Sequence, residues 1–206
     1  HPDAPVFLSY GSSIISRRML SNSISVMRRQ RSELNLSELP LYGRGDLSSL
    51  YDRMKTLSVG KPMILEKDGR SLEITLHHAG HIAGAVSVGI QSKNERIFFT
   101  GDVLFNDQRT LDGAIPPLEP VDVLITETTR GRSPRNPSRQ RENEIVNLLE
   151  ETRKTLSKGG SVLIPVFALG RMQEMLVVLE EAFRRKAIPN VPVFCSGLGM
   201  DLVNHL

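Results

Sequence analysis

A mixed α/β fold with a composite sheet is predicted for this 206-residue chain by three features. The middle is strand-rich and carries Asp68-Gly69, a dipeptide suited to the positive φ angles of a two-residue hairpin. Short, continuously apolar runs read as strands. In the C-terminal third such runs alternate with helical periodicity, so strands come first and strand–helix units follow. Composition agrees: 39% apolar and 24% charged residues exclude a disordered chain. No apolar run reaches the roughly 18 residues of a membrane span, and HPDAPVFLSYG lacks the charged-then-apolar pattern of a signal peptide. The single cysteine, Cys195, excludes an internal disulfide or a Cys-rich zinc site and makes a reducing cytoplasm the natural expectation.

Each element has its own signal. Val6–Tyr10 is a short apolar strand, and a Ser- and Arg-rich helix is expected from about Ser13 to Arg31. Asp46 reads as an N-cap for an amphipathic helix bearing Leu47, Leu50, Tyr51, Met54 and Leu57, ended by Gly60. Pro62–Lys67 and Arg70–His77 flank Asp68-Gly69 as one hairpin, and Ala83–Gln91 with Arg96–Thr100 form a second. Asp122–Thr126 is a strand of the kind buried on both faces. Ser138 is expected to cap a helix with Ile145, Leu148, Leu149, Thr152 and Leu156 inward, stopped by Gly159-Gly160. Ser161–Val166 is a buried strand. A helix from about Gly170 to Lys186 turns Met172, Met175, Leu176, Leu179 and Phe183 to the core, and Val193–Cys195 is a last strand.

Charge is informative by place rather than total. The excess of 26 Lys and Arg over 23 Asp and Glu, a formal +3, does not name a polyanionic partner. Arg28–Arg31 reads as a solvated face. Arg130, Arg132, Arg135, Arg139 and Arg141, however, follow one another without an intervening acid. A flexible surface loop and a site for an anionic partner both fit that run.

Three segments stand out from a plain core. In HHAGHIAGA, His81 lies between Gly80 and Gly84 on a loop between strands. His77 and His78 are adjacent on a strand and point to opposite faces, so at most one joins His81. In FFTGDV, Asp102 follows an apolar strand, and in LITETTRG, Glu127 does the same. Asp102 by itself reads better as a residue that caps the following turn. Three such groups at three strand ends are more specific, because metal and acid–base chemistry draw on separate strands.

In order and spacing, AGHIAGAVSVGI, IFFTGDV, VDVLITETTRG and GGSVLIPVFALGRMQEML resemble metallo-β-lactamase-fold nucleases of the β-CASP group. The likeness is to the branch containing the mRNA 3′-end cleavage-factor endonuclease, and VLIPVFALGR is its most specific segment. The resemblance implies an αββα sandwich, represented in part over residues 1–158, and the start of a β-CASP domain over 159–206. It implies that His81 is a zinc ligand, that Asp102 bridges two zinc ions, and that Glu127 helps organise phosphodiester cleavage. Single-stranded RNA is the implied substrate, with Arg130, Arg132 and Arg171 as weaker candidates for substrate contact.

The departures from the family pattern matter as much. The HxHxDH cluster that supplies most family ligands is absent and is expected upstream of His1; His205 has no metal motif around it. Arg130 stands where the family usually has an aromatic. Little or no activity is therefore expected of these 206 residues alone, with exposed apolar sheet surface that favours homo-oligomeric association. A non-catalytic scaffold that binds RNA or a partner is the alternative reading. A hydrolase of small esters is disfavoured by ALGR and the arginine loop.

Overall fold

The computed structural model describes residues 3–133, 136 and 140–204. Strand β1 (Val6–Ser9) runs directly into helix α1 (Tyr10–Leu34), longer at both ends than the sequence pattern predicts. Ser9 supplies the boundary: its Oγ accepts from the Ser12 N–H at 3.1 Å and so satisfies one of the free donors of the first turn. The same hydroxyl donates to the Gly84 carbonyl at 2.7 Å, fastening the helix start to a distant loop. Asn35, in the left-handed conformation, ends α1.

Helix α2 (Arg44–Arg53) corrects the expectation for Asp46. The N-cap is Gly43, and Asp46 sits one turn inside, its carboxylate accepting from the Gly43 N–H at 2.8 Å. The helix also ends early. Met54–Leu57 forms β2, which pairs in parallel with β1 from Val6↔Met54 to Ser9↔Leu57. The open edge of β1 offers backbone hydrogen bonds that override the local helical spacing. Buried Ile24, Met27 and Leu47 form the core between α1 and α2, with Leu20, Leu50 and Tyr51 packed around them.

The larger sheet has the order β3 (Met63–Lys67), β4 (Arg70–His78), β5 (Val86–Gln91), β6 (Arg96–Phe99), β7 (Val123–Ile125). Asp68 and Gly69 both adopt positive φ, 51° and 71°, as the predicted hairpin turn requires. Pairing is antiparallel from β3 through β6 and parallel between β6 and β7. This alternation has a positional consequence. The chain leaves β4, β6 and β7 at the same edge of the sheet.

Three further expectations are corrected. β7 is an edge strand whose Val123, Leu124 and Ile125 are 37–58% exposed, not buried on both faces. Residues 161–166 and 193–195 run without strand pairing, and Leu163, Phe167 and Phe194 are 91%, 83% and 92% exposed. Their apolar, β-branched composition suits a strand, but no neighbouring strand among the described residues supplies the ladder on which that state depends.

Helix α3 (Arg141–Ser157) is capped at Gln140; the predicted cap, Ser138, lies outside the described residues. Helix α4 (Arg171–Arg184) buries Glu174, Val178 and Ala182, while Met172, Met175, Leu176, Leu179 and Phe183 are only half-buried. Helix α5 (Leu198–Val203) packs on α4, and its Leu202 is fully buried. Among the described residues no helix is long and apolar enough to cross a membrane.

Candidate active site

The three residues singled out in the sequence follow β4, β6 and β7, which end at one edge of the sheet. After β4, the loop of residues 79–85 is closed by the Ala79 N–H donating to the Ala85 carbonyl at 3.4 Å. Gly80 makes this loop possible. It sits at φ 65°, and a Cβ there would overlap the Leu104 carbonyl oxygen and the Ala114 nitrogen. His81 follows, half-buried. After β6, Gly101 at φ 57° turns the chain outward and leaves Asp102 exposed. After β7, Glu127 folds back toward the Asp102 turn, its carboxylate accepting from the Val103 N–H at 2.8 Å.

That carboxylate is held below the ordinary glutamate range. The Thr129 hydroxyl contributes most, followed by the Val103 N–H; burial opposes them, and the Thr129 N–H and the charge of His81 add smaller lowering effects. Glu127 is therefore a carboxylate at neutral pH, fitted to accept a proton or to orient a polar group rather than to donate. The neighbouring threonines lace the two strand ends together: the Thr100 and Thr126 hydroxyls lie 3.2 Å apart, and the buried Ser87 hydroxyl donates to the Thr100 carbonyl at 2.8 Å.

A second tier supports the His81 loop from the segment after Asp102. Gln108 Nε2 donates to the carbonyls of both Gly80, at 2.7 Å, and His81, at 3.0 Å. Its Oε1 accepts from Arg171 Nη1 at 2.7 Å. Arg171 thus engages Gln108 rather than Glu174 or Glu127. Glu174, 3% exposed, accepts from the backbone N–H groups of Arg109 and Thr110 at 2.9 and 3.0 Å, from the Thr110 hydroxyl at 2.9 Å and from Arg141 Nη1 at 2.9 Å. Arg109 in turn pairs with Glu142 and Glu181. The start of α4 is therefore tied to the loop that holds His81, and Gly170, at φ 82°, packs against Ile82 where a side chain would collide.

The other candidates are placed differently. Arg130 and Arg132 are exposed on a turn of residues 128–133, closed by Gly131 N–H to Thr128 O at 2.9 Å and Ser133 N–H to Arg130 O at 3.0 Å. Arg135 and Arg139 lie outside the described residues. His77 packs edge-on against Phe98, with ring centroids 5.4 Å apart, and burial lowers its pKa. His78 lines a cavity of about 690 Å³ together with Gly80, Ile82 and Gln108. His81, Asp102 and Glu127 are not in that lining.

Zinc sites in proteins almost always take four donors, or three and a water. His81 and Asp102 supply two, and among the described residues no group of three or more His, Cys, Asp or Glu side chains is placed to hold an ion. By themselves these residues do not make a zinc site.

Comparison with known proteins decides the family. The endoribonuclease YSH1 of Eremothecium gossypii is 34% identical over 194 residues, covering 92% of this chain and 24% of the relative. The Drosophila melanogaster cleavage and polyadenylation specificity factor 73 is 33% identical over 191 residues, covering 91% of this chain and 26% of that protein. The chain belongs to the β-CASP group of metallo-β-lactamase-fold proteins. A third β-CASP relative, the endoribonuclease ysh1 of Schizosaccharomyces pombe, is 32% identical over 191 residues, or 92% of the chain and 23% of the relative. No protein-family model matches the chain. It spans about a quarter of the length of these β-CASP relatives.

Within this β-CASP chain, sequence reasoning missed Gln108 as a support of the His81 loop and Glu174 as a buried acid. Gln108 carries no pattern at all. Glu174 had a signal, since it falls four residues before Val178 and eight before Ala182 on one helical stripe.

Proposed function

We propose that this chain is the part of an RNA-cleaving phosphodiesterase that carries His81, Asp102 and Glu127 as site residues. The observation behind this reading is strand direction: β4, β6 and β7 end at one sheet edge, each followed by one of these three groups. Relatives named as endoribonucleases align over most of the chain, which supports RNA as the substrate class. The fold we assign is a metallo-β-lactamase layer with the beginning of a β-CASP domain after about residue 158. His81 and Asp102 would offer an imidazole and a carboxylate toward zinc, and the metal would activate water for phosphodiester hydrolysis. Glu127, kept ionised, orients or deprotonates a polar group beside them. The exposed Arg130 and Arg132 on the turn after Glu127 meet backbone phosphates, a contact that adds affinity without reading sequence.

The test is cleavage of an end-labelled single-stranded RNA by the full-length protein and by His81→Ala, Asp102→Ala and Glu127→Gln. Each variant is expected to lose activity by about a hundredfold or more, the range for a positioned acid–base group. The His81 and Asp102 variants should also lose bound zinc by metal analysis. Full cleavage by His81→Ala or Asp102→Ala, or unchanged zinc content in both, would sink the assignment.

A further inference from the structure

The geometry points to Gln108 as the residue that aims His81, with Arg171 holding Gln108 in place; this rests on His81 being a site residue, as proposed above. A histidine can be aimed through its side chain or through its backbone. Here one primary amide engages both peptide planes that flank the His81 Cα: Nε2 donates to the Gly80 carbonyl at 2.7 Å and to the His81 carbonyl at 3.0 Å. Fixing both planes fixes φ and ψ of His81, and with them the direction of its Cα–Cβ bond. The amide has a single workable orientation. With Nε2 on two carbonyl oxygens, Oε1 faces Arg171 Nη1 at 2.7 Å; a flipped amide would set its N–H groups against the guanidinium.

The surroundings leave the loop few other ways to settle. Gly80 cannot drift toward Leu104 or Ala114, which already crowd its missing side chain, and the Leu104 N–H donates to the Ala79 carbonyl at 2.9 Å. Arg171 is itself the first residue of α4, whose N-terminal Gly170 N–H donates to Gln173 Oε1 at 2.7 Å. The relay therefore runs from a helix end, through one guanidinium and one amide, to a backbone that carries the imidazole. Gln108 and Arg171 are positioning residues, and Arg171 acts through Gln108 rather than on a phosphate.

Glu is the informative replacement at 108. Gln108→Glu keeps the size and the acceptor for Arg171 but removes both N–H donors to the loop. In the full-length protein, Gln108→Glu should lower kcat for RNA cleavage on the order of tenfold to a hundredfold with KM little changed, as expected when a reacting group is misplaced by a fraction of an ångström. Arg171→Ala should act in the same direction, Arg171→Lys should regain most of the loss, and the double variant should be no worse than Gln108→Glu alone. Amide hydrogen exchange read by mass spectrometry gives a measure independent of cleavage: the Ala79 and Ala85 amides that close the loop should exchange faster in both variants while β3–β6 stay protected. Unchanged exchange in the loop of Arg171→Ala, or a rise in KM with kcat intact, would overturn the relay and return Arg171 to direct substrate contact. If His81→Ala itself leaves cleavage intact, the proposed function fails, and the exchange result still decides whether Gln108 orders the loop.

Discussion

Replacing Glu174 by Ala should be among the most damaging single changes in this chain. Its carboxylate is 3% exposed and accepts four hydrogen bonds, two of them from the backbone N–H groups of Arg109 and Thr110. Without it, those two donors and the three-quarters-buried Arg141 side chain face one another across a cavity. A buried donor left unmet costs about 1–3 kcal/mol, and removing one member of a buried ion pair costs about 3–5 kcal/mol. These overlap, because water entering the cavity relieves part of each, so a net loss of about 3–5 kcal/mol is expected. For a chain of this size that corresponds to a fall in Tm of roughly 6–20 °C. With no tryptophan in the sequence, far-ultraviolet circular dichroism during heat and urea unfolding is the suitable assay. The control is Glu142→Ala. Its carboxylate pairs with Arg109 but is 60% exposed, so solvent screening holds the expected loss to about 1 kcal/mol or less. A loss below about 1 kcal/mol for Glu174→Ala, or equal losses for the two variants, would refute the reasoning.

Three other outcomes follow from the same geometry. Gly80→Ala should destabilise by about 3 kcal/mol, combining a left-handed φ with overlap onto backbone atoms, whereas Gly69→Ala, left-handed but in open space, should cost about 1 kcal/mol; equal urea midpoints for the two would contradict this. Burial lowers the His77 pKa, so the folded state binds that proton less readily than the unfolded chain; stability should fall as pH drops through the ordinary histidine range and level off below the folded pKa. His77→Leu should flatten that slope between about pH 7 and 5, and an unaltered slope would show that other groups carry it. Finally, Leu163, Phe167 and Phe194 present apolar side chains to solvent, so the 206-residue chain should self-associate in analytical ultracentrifugation, and Leu163→Asp with Phe194→Asp should weaken that. A wild-type chain that stays monomeric at every concentration would count against it.

Much of the α/β order was legible because its signals are local. Asp68-Gly69 located one hairpin, and the short loop at residues 92–95 located the next. Two of the misreadings share one cause. Met54 and Leu57 have helical spacing yet pair with β1, and residues 161–166 have strand composition yet lack a partner strand among the described residues. In both places the outcome depends on a backbone elsewhere in the fold. The site divides in the same way. His81, Asp102 and Glu127 stood out as candidates because each falls two or three residues after a strand, a local pattern. Gln108 was not, because a glutamine in an irregular segment announces nothing until two carbonyls stand within reach of its amide.

Composition, periodicity and turn chemistry thus determined by themselves that this is an α/β chain, where most of its helices and hairpins fall, and which three groups to watch. These are properties of neighbouring residues, written in side-chain spacing and backbone preference. Only the tertiary structure decided that β7 joins β6 in parallel, so that three strands end at one edge, and that Glu174 faces inward. It alone showed that Arg171 reaches His81 through Gln108. Those facts are set by hydrogen bonds between residues about 25 to 65 positions apart, and such bonds leave no periodic trace in the sequence.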